Sequence, residues 1–148
     1  MPSFPLPPFA YVPGRTERHP EGFFDEIRQT AAALGDAGDL FQSEAWVTGL
    51  QFLDSGFFWE AHEVIEPVWL ALDVGTPQRQ LAQAVIQLAN AELKRCMDRP
   101  NAVRRLCDQV SLLLTAIPEP VLDAAGLERK ELEARIAALR AWSNLQSL

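Results

Sequence analysis

The residues best able to do chemistry lie together in "EAHEVIEPVW", residues 60 to 69, where three glutamates, a histidine and a tryptophan occupy ten positions. The flanking residues read as a helix, which turns about 100° per residue, so positions four apart stack on one face. His62 and Glu66 form such a pair, with Trp69 beside His62 on the apolar side and Trp59 beside Glu66. Glu60 and Glu63 turn away from His62 and are expected to face solvent or a partner.

An imidazole and a carboxylate from adjacent turns can share a divalent metal, as two histidines do in H-E-x-x-H zinc helices. A third ligand must then come from another helix. Glu92 is the candidate, because it falls on the inward face of the fourth predicted helix, although Arg95 three residues on could neutralise it. Gln83 and Gln87, also four apart, would flank the same face and line a pocket with Trp59 and Trp69. Without metal, Glu66 could orient His62 as a general acid/base. A third reading makes the pair a structural contact that fixes helix register. Pro67 cannot donate to the carbonyl of Glu63, so that oxygen is released beside the motif. His19, in "ERHPEG", is the only other imidazole in the chain.

Helical patterning supplies the frame for these residues. Phe24, Ile27, Ala31 and Leu34 recur at helical spacing until "LGDAGD" interrupts. Ser43 is the expected N-cap of a second helix that carries Trp46, Leu50 and Leu53 and stops at "DSG". The third helix runs from Phe57 to about Leu72, with Phe58, Ala61, Ile65, Val68 and Leu72 facing the core. Thr76 and Pro77 open the fourth; Val103, Leu106, Val110, Leu113 and Ile117 define the fifth up to "IPEP"; a last one spans about Leu127 to Trp142. No segment alternates as a half-buried strand would. The expected fold is all-α, a compact bundle of five or six mostly antiparallel helices forming one domain over residues 21–148. Five prolines in the first thirteen residues make residues 1–20 an extended arm, and Phe4, Leu6, Phe9, Tyr11 and Val12 require that it pack on the body or on a neighbouring subunit.

Composition narrows the function classes. Twenty acidic and thirteen basic side chains give a net charge of -7, which argues against nucleic acid as a partner. Neither a signal sequence nor an apolar run of membrane-spanning length is present, so a cytoplasmic protein with no membrane partner is expected. Cys96 and Cys107 have no zinc or redox spacing and read as small core residues in a reducing compartment. The aromatic arm and the C-terminal helix ending in Trp142 suggest a homo-oligomer.

"GFFWEAHEVIEPVW" followed by "QRQLAQAVIQLANAELK" resembles the Domain of Unknown Function 309 family, whose hallmark H-x-x-x-E-x-x-W is met by His62, Glu66 and Trp69. The resemblance covers roughly residues 38–117, and the "YVPGRTERHPEG" lead-in is similar to that of longer bacterial members. It implies a small, soluble, all-helical prokaryotic protein with metal binding suggested at the motif. Members often carry a histidine near the end of the downstream helix, where this chain reads "AELKR". Glu92 would then replace a nitrogen ligand and favour manganese, magnesium or iron over zinc. Two expectations follow. One is a metal- or ligand-binding site on His62, Glu66 and Glu92 with hydrolytic or acid/base chemistry on a small molecule; the other is a non-enzymatic module for self-association or partner docking.

Overall fold

Local capping sets where the helices begin. Ser43 Oγ accepts from Trp46 N–H at 3.2 Å and opens the helix Glu44–Asp54, while Thr76 Oγ1 accepts from Arg79 N–H at 3.2 Å with Pro77 in the first turn of Pro77–Cys96. The computed structural model describes residues 4–32 and 40–146. Among them are seven helices and no strand: α1 Asp25–Ala32, α2 Glu44–Asp54, α3 Phe58–Ala71, α4 Pro77–Cys96, α5 Pro100–Thr115, α6 Glu119–Ala124 and α7 Arg129–Leu145. The all-α expectation holds, with one helix more than the pattern suggested. The prolines of "IPEP" end α5 but also start α6, because Pro120 sits in a first turn, where a missing N–H breaks no helical bond. Leu34, assigned to the first helix from its spacing, lies outside the described residues.

α3 is the central element. It packs against α1, α2 and α4, and α4 in turn packs against α5 and α7. The five residues expected to face the core from α3 are all buried, and Val64 joins them with no exposed surface. At Gly49 the Ile65 side chain of α3 packs so close to the backbone of α2 that a Cβ would sit 2.8 Å from Ile65 Cδ1 and closer still to Cγ1. Gly56, at φ +89°, then takes the left-handed turn that reverses the chain from α2 into α3.

The arm is bound to the body of its own chain. Phe4 and Val12 pack against the core, and Tyr11 N–H donates to Glu60 Oε2 at 2.6 Å. Trp142 likewise packs on its own core, so both surfaces credited with self-association are at least partly covered within the chain. No helix among the described residues is long and apolar enough to cross a membrane.

Candidate functional site

His62 and Glu66 meet as their spacing requires, with Nε2 3.2 Å from Glu66 Oε2. The pair is partly open to solvent: its side chains are 27% and 36% exposed, against none for Ala61, Val64, Ile65 and Val68 on the core-facing stripe. α1 adds a residue that spacing did not reveal. Arg28 Nη2 lies 3.7 Å from Glu66 Oε1, and Arg28 Nη1 lies 3.5 Å from Glu63 Oε2. Arg28 Nη1 also donates to Glu63 O, the carbonyl released by Pro67. The proline thus provides a docking point that fixes the guanidinium beside the pair. Imidazole, carboxylate and guanidinium together can bind a polar molecule and exchange a proton with it.

The third metal ligand does not join them. Glu92 Oε2 accepts from Arg135 Nη2 at 2.8 Å, and Glu92 Oε1 lies 3.5 Å from Arg95 Nε. The carboxylate is inward-facing, as its periodicity required, but guanidinium from α7 satisfies it. Among the described residues no three His, Cys, Asp or Glu side chains are grouped to hold a metal ion. Gln87 Oε1 accepts from Asn90 Nδ2 at 3.1 Å, and Gln83 is half-buried on the same helix. The two tryptophans separate. The Arg79 guanidinium covers the Trp69 ring at 4.5 Å, whereas Trp59 faces the arm, 5.1 Å from the Tyr11 ring and 6.1 Å from the His19 ring.

Glu60 corrects the sequence reading. Expected to face solvent or a partner, it has no exposed surface, and its Oε2 lies 2.6 Å from His19 Nε2. His19 comes from the arm and is itself 2% exposed in its side chain, stacked between Phe9 at 4.6 Å and Phe23 at 5.3 Å, with Phe24 edge-on. The arm, absent from the wheel of α3, covers that face of the helix. A signal was present: Val64 stacks over Glu60 one turn later, and an apolar residue there calls for cover on the same face. Next to this buried pair a cleft of about 320 Å³ is lined by His19, Trp59, Arg28 and Glu63, so Arg28 joins the cleft to the His62–Glu66 edge.

Residues 46–106 match the family model Domain of unknown function (DUF309). That stretch is narrower than the resemblance read from the motif. The matched segment holds His62, Glu66, Trp69, Gln83, Gln87 and Glu92, together with Glu60. The residues that bind its acids on α3 come from outside it: His19 from the arm and Arg28 from α1. No curated protein and no solved structure matches the chain.

Proposed function

We infer that His62 and Glu66 form a ligand-binding centre that works without a resident metal, as an acid/base pair acting on a small polar molecule held by Arg28. The 3.2 Å contact between His62 Nε2 and Glu66 Oε2, with both side chains partly open to solvent, carries this reading. A structural pair would be better served by burial, as the His19–Glu60 pair of the same helix illustrates. The guanidinium beside Glu66 supports the metal-free form, because a fixed positive charge repels a divalent cation from that carboxylate. Glu92, the third ligand that a metal would need, is neutralised by Arg135. The test screens small carboxylic acids, amides and phosphate esters by nuclear magnetic resonance against the wild type, His62→Gln and Glu66→Gln. Shifts centred on His62, lost in both folded variants, are expected. Stoichiometric metal in protein purified without a histidine tag, absent from either variant, would overturn the metal-free form; no binder, or binders indifferent to both substitutions, would reject the site.

The alternative, a helical module acting by self-association or partner docking, draws on Leu70 and Val74, which are 56% and 83% exposed where α3 ends. A mass by light scattering that exceeds the monomer and returns to it in Leu70→Ser/Val74→Ser would support that reading. A monomer at every concentration would remove self-association.

A further inference from the structure

A concavity of about 840 Å³ lies away from His62 and Glu66, between α2, the end of α6 and the start of α7. Volumes of about 300–1,000 Å³ suit drug-sized ligands. Its two sides are tied together, because Trp46 Nε1–H from α2 donates to Ala125 O at 2.8 Å. That bond makes the concavity a preformed feature. Leu50 and Leu127 are only half-buried there and Val47 is 39% exposed, so apolar surface remains open along the α2 side.

The charge on the rim is one-sided. Asp54, Asp123, Glu128 and Glu131 line the concavity with a single cation, Arg135, and that guanidinium is engaged by Asp54 at 3.2 Å and Glu92 at 2.8 Å. Asp123, Glu128 and Glu131 take part in no salt bridge among the described residues. A ligand complementary to this lining carries an apolar body for the α2 side and a positive charge for the three carboxylates. We propose that the concavity between α2 and α7 binds a small organic cation, an amine bearing an apolar group. The ligand lies over Leu50 and Val47 and directs its ammonium toward Glu128, Glu131 and Asp123. This site is separate from His62 and Glu66, so either assignment can fail without the other.

The probes are 3-phenylpropylamine and its neutral counterpart 3-phenylpropanol, titrated into the full chain while methyl resonances of Val47, Leu50, Leu127 and Leu132 are followed. Saturable shifts with the amine are expected, at least tenfold weaker with the alcohol. In Glu128→Gln/Glu131→Gln the amine should lose about tenfold in affinity, whereas Glu26→Gln, an exposed acid on α1, should leave it unchanged. Equal binding of amine and alcohol, an equal loss in Glu26→Gln, or no saturable shift at millimolar amine would overturn the proposal. So would a Leu/Lys amphipathic helical peptide that shifts the same methyls when the amine does not, since the concavity would then be a docking groove for a protein helix. All three substitution sites are on the surface, and the circular dichroism spectrum of each variant confirms its fold.

Discussion

Replacing His19 by phenylalanine keeps a ring between Phe9 and Phe23 but removes the nitrogen that meets Glu60 Oε2 at 2.6 Å. Solvent cannot compensate, because the two side chains are 2% and 0% exposed. Breaking a buried acid–base pair by removing one partner destabilises by about 3–5 kcal/mol. Tyr11 N–H still donates to the carboxylate, which places the expected loss near the lower end, about 3 kcal/mol. In a chain of this length that corresponds to a fall in Tm of about 6–12 °C. Phenylalanine is also larger than histidine, and overpacking adds a penalty that does not involve Glu60. The double variant His19→Phe/Glu60→Gln separates the two, since glutamine retains the acceptor for Tyr11 without an acid in need of a partner. Urea unfolding followed by tryptophan fluorescence should find the double variant more stable than His19→Phe by about 2 kcal/mol. Equal stability of the two, or a His19→Phe protein within about 0.5 kcal/mol of wild type, would refute the idea that this pair fastens the arm to α3.

The other predictions concern packing and the core thiol. Gly49→Ala places a methyl group against Ile65 and should destabilise by about 1–3 kcal/mol, read as a lower urea midpoint at unchanged slope. Burial pushes the Cys107 thiol up from its ordinary 9.0, with Asp108 and Glu92 adding to the rise and Arg140 opposing it. Its contribution to stability is complete below that value and declines as pH climbs beyond it, because the unfolded thiol ionises first and the native one later. Native protein titrated with a thiol reagent at pH 8 should therefore label half-buried Cys96 well before Cys107, and Cys107→Ala should flatten the alkaline loss of stability. Glu92→Ala leaves Arg135, whose side chain is 26% exposed, with exposed Asp54 as its remaining acid partner and should destabilise by about 1 kcal/mol while leaving the nuclear magnetic resonance signals of the His62 ring in place.

Helix positions were legible because their determinants are local. Ser43, Thr76 and Pro77 act on the next few residues, and the core stripe of α3 repeats within one segment. The His62–Glu66 pair was legible for the same reason, being one turn apart on one helix. What spacing could not reveal are partners brought by distant segments. Arg28 is separated from Glu63 by 35 positions, His19 from Glu60 by 41 and Arg135 from Glu92 by 43. Each is a cation or imidazole whose address depends on tertiary packing. Glu92 shows the consequence: its inward face was read correctly from the period of α4, while the group awaiting it lay on α7. Pro67 lies between the two cases. The released carbonyl follows from the sequence, and its occupant, Arg28, does not.

The two histidines of the chain make the central claim directly measurable. Diethyl pyrocarbonate modifies accessible imidazoles, and mass spectrometry of the digested protein reports each site separately. His62, 27% exposed and on this proposal without a metal, should be modified in the native protein at a rate that a chelator does not change, while His19, 2% exposed between the arm and α3, should react only on unfolding. Rapid native modification of His19 with His62 protected, or a His62 rate that rises when a bound metal is stripped by chelation, would contradict the account.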